Sequence, residues 1–280
     1  MARRAALPDL PPPRVPRPPL EAAADAAGRA PAVHGAQPWR AVLHPGRLEL
    51  VADLPRQLAV PDPVGRARAR SVGAALFDAR VALAAAGSAV RVDRLPDPTD
   101  PGVVAVLRPV DGPPDPVLAA LSPAVRRGHA DPRRLEADRV PEDVLRLLVA
   151  AAAAEETVLV PVTREEHLRL VARLAQQAGR GPAPDTDRTL VVLATHRDDL
   201  RAWLRCGEAL ERVLLELTAR GWGGEPLPRL VEVPVTRTQL RSALSWDAHP
   251  QVVLRTGRAP VPAPTPRRPV PDGHGGTTWV

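Results

Sequence analysis

The chain has 280 residues, 44% hydrophobic and 25% charged, with a formal net charge of +6 at pH 7. That length holds one large core or two modest ones. All basic side chains are Arg, interleaved with Asp and Glu, so no basic stripe with aromatics points to nucleic acid. Cys206 stands alone, which excludes an internal disulfide and a thiolate zinc site. No apolar run approaches the roughly 18 residues that span a bilayer. Lys, Ile, Asn and Tyr are absent and Phe77 is the one Phe, the pattern of a high-GC genome.

Residues 1–19 are rich in Pro and Arg and are read as a disordered N-terminus. Prolines break the place where a signal peptide needs its apolar segment, so a cytoplasmic chain is expected. A helix from Leu20 to Arg29 is stopped at Ala30–Pro31, because the residue before a proline is pushed out of the α region. The loop that follows, "APAVHGAQPWR" (Ala30–Arg40), carries His34, Gln37 and Trp39. It suits a planar ligand, or a helix-to-strand connection anchored by one Trp. Ala41–Asp53 reads as a hairpin about Pro45–Gly46. Arg70–Gly87 has a helical period through Val72, Leu76, Ala79 and Leu83, with Gly87 as its stop. "AVRVDRL" and "GVVAVLRPV" are strands.

"RRGHADPRR" (Arg126–Arg134) gathers four Arg with His129 and Asp131, either a solvated charge run or a phosphate clamp. Pro141–Glu156 is a helix with Pro and acidic residues at its start, "TVLVPVT" a strand and "REEHLRLVARLAQQAG" a helix. "RTLVVLATH" is a buried strand, and Asp198–Gly221 the longest helix, with Trp203, Leu210, Val213, Leu214 and Leu217 on one stripe. "GWGGEP" (Gly221–Pro226) is a helix cap with a loop, or a backbone that must approach a ligand closely. A short helix "RTQLRSAL", a strand "PQVVLRTG" and a Pro-rich tail with "TPRRPV" complete the chain. Each half thus runs helix, strand, helix, strand: an α+β fold with a mixed sheet per half, which suggests an old duplication. No dinucleotide fingerprint, phosphate-gripping P-loop, nucleophile elbow or metal-binding His pair is present, so the chain does not look built for hydrolysis.

The segments "HGAQPWR", "SVGAALFDARVALAAAG", "RGHADPRRLEADRVP", "LVVLATHRDDLRAWLRCGEALERVLLELTARG" and "PLPRLVEVPVTRTQLRSAL", in this order, resemble the flavin-dependent nitroreductases, in particular their actinobacterial Acg-like branch. In that branch two nitroreductase-like halves are fused in one chain and imitate a homodimer. The resemblance implies two halves at 20–120 and 121–270, a flexible tail at 271–280, and a monomeric pseudo-dimer, with a homodimer as the alternative. It implies FMN between the halves, NAD(P)H as reductant and a nitro or quinone acceptor, the cofactor carrying the chemistry. No catalytic side chain and no metal are then needed. By resemblance His34, Gln37 and Trp39 line the flavin pocket, and Arg133, helped by His129 and Asp131, lies in the FMN-binding loop. Gly221, Gly223 and Gly224 bring backbone N–H groups toward the ring, and Arg267 and Arg268 reach the phosphate. The sequence departs from the family pattern at Ala32, Gly35, Ala36, Ala130, Pro132, Leu135 and Arg229, and is short between Arg173 and Thr189. Those departures give the alternative: a flavin-binding or flavin-sequestering relative without turnover.

Overall fold

The computed structural model describes residues 17–32, 37–53, 62–100, 102–178, 188–243, 247–259 and 278–279. Helix α1 (Arg17–Arg29) leads into a hairpin of β1 (Trp39–His44) and β2 (Arg47–Ala52), then the long helix α2 (Arg66–Ala85), then β3 (Ala89–Arg94) and β4 (Val103–Val110). Strand β2 alternates buried and half-exposed residues, as a sheet with one covered face requires. Leu48 and Leu50 of β2, Leu107 of β4, Ala23 and Ala27 of α1, and Leu76, Ala79 and Leu83 of α2 form one core.

After the short helices α3 (Pro116–Ala120) and α4 (Ser122–Arg127) and a 3-10 turn at Pro132–Arg134, the plan repeats. Helix α5 (Glu142–Ala153), β5 (Val158–Val162), α6 (Glu165–Gln177), β6 (Thr189–Thr195), α7 (Leu200–Ala219), β7 (Trp222–Pro226), α8 (Arg229–Glu232), α9 (Pro234–Ala243) and β8 (His249–Arg258) follow. Residues Thr278–Trp279 add a two-residue strand, β9, parallel to β1.

The strand orders make the repeat explicit. The first sheet runs β3-β4-β2-β1-β9 and the second β5-β6-β8-β7. Without β9, each sheet places its first, second, fourth and third strand side by side, all antiparallel. The first half therefore runs helix, strand, strand, helix, strand, strand, and the second keeps that plan with α6, α8 and α9 inserted. Apart from β9, both sheets are antiparallel rather than the mixed sheets expected from sequence. The extra strand of the second half is "GWGGEP" itself, which pairs from Trp222 to Pro226 with β8. In the second half α6, α8 and α9 add a further layer. Leu190 and Val192 of β6 face that layer while Val191 and Leu193 face α5 and α7. Burial on both faces explains the unbroken apolar run of this strand.

The equivalent helices α2 and α7 pack directly against each other. Both are 20 residues long, and Gly73 and Gly207 occupy the same position in each. A Cβ on Gly73 would lie 2.1 Å from the carbonyl oxygen of Leu204, and one on Gly207 2.1 Å from that of Arg70. Only glycine lets the backbones come so close. Counted from these glycines, Ala75 and Ala209, Leu76 and Leu210, and Leu83 and Leu217 match. So do Gly87 and Gly221, which take left-handed φ angles of 80° and 75° just beyond the two helices.

Candidate functional site

Where α2 and α7 diverge, a cavity of about 270 Å3 opens between the halves. The first half contributes Pro31 and Ala32 from the exit of α1, and Arg70, Ser71 and Ala74 from one turn of α2. The second contributes Leu210 and Leu214 of α7, Pro132 of the 3-10 turn, Glu225 and Pro226 of β7, and Gln251 and Val252 of β8. Most of the exposed wall is apolar, and Pro31, Ala32, Ala74, Pro132, Pro226 and Pro228 make part of it small or rigid.

The repeat puts an equivalent position on the other side, and there the cavity is lined by charged residues. In place of Ser71, Ala74 and Leu214 stand Arg205, Glu208 and Arg80, and Glu155 follows α5 as Pro31 follows α1. Glu208 is fully buried and receives Arg94 through two hydrogen bonds of 2.6 and 2.7 Å and Arg80 through one of 2.6 Å. Glu155 accepts from Arg80 at 2.7 Å and Arg212 at 2.9 Å. Mutual pairing holds the Arg80 guanidinium above its ordinary pKa although burial alone would lower it. One of the two like positions is thus a mainly apolar slot, and the other a polar cavity of about 430 Å3 lined by the paired charges of Arg80, Arg94, Glu155 and Arg205.

Polar groups of the slot converge on one end. Arg70, 3% exposed, donates from a terminal nitrogen to the carbonyl oxygen of Gln251 at 2.7 Å. Gln251, fully buried, donates its amide to Thr195 Oγ1 at 2.9 Å and Asp198 Oδ1 at 3.0 Å. Asp198 also takes two hydrogen bonds of 2.8 Å from Arg237 and one of 2.7 Å from Trp203 Nε1. Although its burial acts in the other direction, these donors hold its carboxyl well below the usual range. Burial and the like charges of Arg237 and Arg70 push Arg66 down to about 10, and burial lowers Arg70 as well. Among the described residues, Arg70 Nε and Gln251 Oε1 have no hydrogen-bond partner.

The residues singled out in the sequence fall in three places. Gln37 and Trp39 tie the loop back to its own helix: the amide of Gln37 donates to Gly28 O at 2.6 Å and the buried Trp39 Nε1 to Ala27 O at 3.2 Å. Pro31 and Ala32 of the same loop, not these two, line the cavity. His129 Nε2 lies 2.8 Å from Glu211 Oε1, and Asp131 is exposed at the start of the 3-10 turn that carries the Arg133 backbone. Gly221 ends α7 with its left-handed φ. A Cβ on Gly223 would meet Leu135 at 2.5 Å and Ala130 at 3.1 Å, and one on Gly224 would meet Leu214 at 2.8 Å. Gly223 therefore lets the Arg-bearing segment lie against β7, where backbone hydrogen bonds between Glu136 and Arg258 fix it. His34, Arg267, Arg268 and the Arg133 side chain lie outside the described residues. Sequence reasoning missed Arg70, Ser71 and Gln251. The one available signal was an Arg on the inward stripe of an otherwise alanine-rich helix.

No family model matches the chain. Two Mycobacterium tuberculosis proteins described as "Putative NAD(P)H nitroreductase" are similar to it. Rv3131 is 33% identical over 296 residues, covering 86% of this chain and 86% of its own length. The protein acg is 28% identical over 323 residues, covering 90% of this chain and 94% of its own. A solved nitroreductase from Bacteroides fragilis with bound FMN aligns at 18% identity over 57% of this chain and 96% of its own, with a TM-score of 0.43. Among the described residues no helix is long and apolar enough to cross a membrane, and no group of three His, Cys, Asp or Glu could hold a metal ion. The identity to Rv3131 runs through most of both chains, and so this chain belongs to the nitroreductase family.

Proposed function

We propose that the protein is an NAD(P)H-dependent oxidoreductase that binds FMN in the slot between its halves and reduces a small nitro or quinone acceptor. The observation that carries this reading is the slot itself, an apolar space with rigid walls at the junction of two like halves, beside an Arg-bearing turn. Its volume of about 270 Å3 is close to the lower end for small-molecule sites, and suits a flat ring system. When bound, FMN would supply hydride acceptance from NAD(P)H and electron delivery to the acceptor.

The chain's own part is to bind and orient. Gln37 and Trp39 pin the loop so that Pro31 and Ala32 stay at the cavity wall. Arg133, with His129 and Asp131 near it in the chain and Arg267 and Arg268 from the C-terminal segment, would hold the phosphate as planar forks. Gly223 lets β7 run close beside that turn, and Gly224 lets it approach Leu214 of α7. The charged lining of the equivalent cavity suits a flat apolar ring less well, so one FMN per chain is expected, whether the chain acts alone as a pseudo-dimer or pairs with a copy.

The test is reconstitution of the purified chain with excess FMN. Expected are a bound-flavin absorbance band, one FMN per chain, and oxidation of NAD(P)H that depends on a nitro or quinone acceptor. Bound flavin without acceptor-dependent oxidation would favour the sequestering alternative, and absence of bound flavin would end both readings.

A further inference from the structure

Arg70 is the odd member of the slot. Removing a guanidinium from water is costly unless an anion or several acceptors replace the lost hydration. Arg70 is 3% exposed, yet among the described residues it forms no ion pair and makes one hydrogen bond, to a neutral backbone carbonyl. The carboxylates of Glu232 and Asp62 act on it through space, without an ion-pair contact to it. Asp198 is held by Arg237, Trp203 and Gln251, and Asp62 accepts from the backbone N–H groups of Ala67 and Arg68 at the start of α2. Arg66, one turn away, donates to the carbonyl oxygen of Val231. The cation lines a cavity with Leu210, Leu214, Val231 and Val252 on its walls, and the one carboxylate among the lining residues, Glu225, is paired with Arg255. At the equivalent position of α7 stands Leu204, so this charge belongs to one half only.

We propose that Arg70 selects the acceptor: the slot takes a planar aromatic molecule that carries a carboxylate, with the carboxylate on the Arg70 guanidinium and the ring between the apolar walls. Gln251, whose side-chain oxygen is unpartnered among the described residues, stands beside the guanidinium and accepts from a ring hydroxyl or amide when the ligand has one. The inference rests on the reading above only in calling this ligand the substrate.

The experiment compares 4-nitrobenzoate with nitrobenzene, its near-isostere without the charge, by titration calorimetry on the full chain with FMN in excess and again without it. The wild-type protein is expected to bind the acid about tenfold or more tightly than the neutral compound, the range for a charge-assisted hydrogen bond in a site that excludes water. Arg70→Met is expected to abolish that preference and to raise the melting temperature. Equal affinities for the two compounds in the wild type, or a preference that survives Arg70→Met, overturns the proposal. The wild-type comparison needs no variant, so misfolding of Arg70→Met leaves it standing, with Arg70→Gln as the second variant. If FMN abolishes binding of the acid and Arg70→Met weakens FMN about tenfold or more, the guanidinium serves the cofactor and the proposal is likewise overturned. A preference for the acid without any NAD(P)H oxidation sinks the proposed enzyme and leaves the binding site. Turnover that is indifferent to the acceptor's charge does the reverse.

Discussion

Gly73 and Gly207 are each other's counterparts: each is the point at which its own long helix admits the backbone of the other. A side chain on either would have to occupy the volume of a carbonyl oxygen on the facing helix.

Replacing either glycine by alanine is expected to destabilise the protein. Alanine gains about 1 kcal/mol in helix propensity, but a contact of 2.1 Å to backbone forces the helices apart. Overpacking in a tight core costs about 1–3 kcal/mol and sometimes more, and the neighbour here is backbone rather than a side chain that could turn aside. Urea denaturation of Gly73→Ala and Gly207→Ala should show both losses. The double variant should lose less than their sum, because one separation of the helices relieves both contacts.

Glu208→Gln should cost more than any exposed charge substitution. It leaves Arg80 and Arg94, which both bond to this carboxylate, facing each other without their common partner. Breaking a buried pair on one side typically costs about 3–5 kcal/mol. The loss should persist in 1 M salt, unlike that from Glu165→Gln, whose exposed pair with Arg169 is screened.

Stability should fall as pH rises above neutrality. Burial would lower the His129 pKa, but the Glu211 carboxylate overrides it, so the folded state holds this proton more tightly than the unfolded chain. The His129 contribution is then complete below about pH 6.5 and disappears as pH climbs through the raised folded value. Burial first, and Glu211 beside it, push the Asp78 carboxyl well above its usual range, against the opposing charge of Arg29. A raised acid also binds more protons when folded, so it acts in the same direction. Melting temperatures measured from pH 6 to 8.5 should fall less steeply for His129→Gln than for wild type. Asp78→Asn should be more stable than wild type at pH 8, with the difference shrinking toward pH 4.

Gly223→Ala should weaken FMN binding more than it weakens the fold. The added methyl meets the Leu135 side chain at 2.5 Å, and Leu135 follows directly on the 3-10 turn Pro132–Arg134. Moving Leu135 shifts that turn. Quenching of flavin fluorescence should show about a tenfold weaker affinity, while Gly28→Ala, with nothing within 4 Å, should leave it unchanged.

Much of the fold was legible because its signals are local. The hairpin around Pro45–Gly46 and the helix preceding Gly87 announce themselves in a few residues. Helix α2 nevertheless begins at Arg66, not Arg70, because its capping carboxylate is Asp62, on the far side of Gly65. Strand β7 was hidden: "GWGGEP" has too few side chains to alternate, and its strand character comes from pairing with β8, distant in sequence. The slot was hidden for the same reason, being assembled from both halves of the chain. Trp39 drew attention as the rare aromatic, yet its ring lies in the core and its indole holds α1, while the plain Ala32 faces the cavity.

Because the α2–α7 junction lies within a single polypeptide, dilution cannot separate the halves, and no free subunit has to find a mate. The tether also releases each half from self-complementarity. In a symmetric dimer one substitution would appear twice and alter both clefts. Here Arg80, Arg205 and Glu208 stand on one side and Leu214, Ser71 and Ala74 at the matching places on the other. One side can carry paired charges while the other keeps an apolar lining.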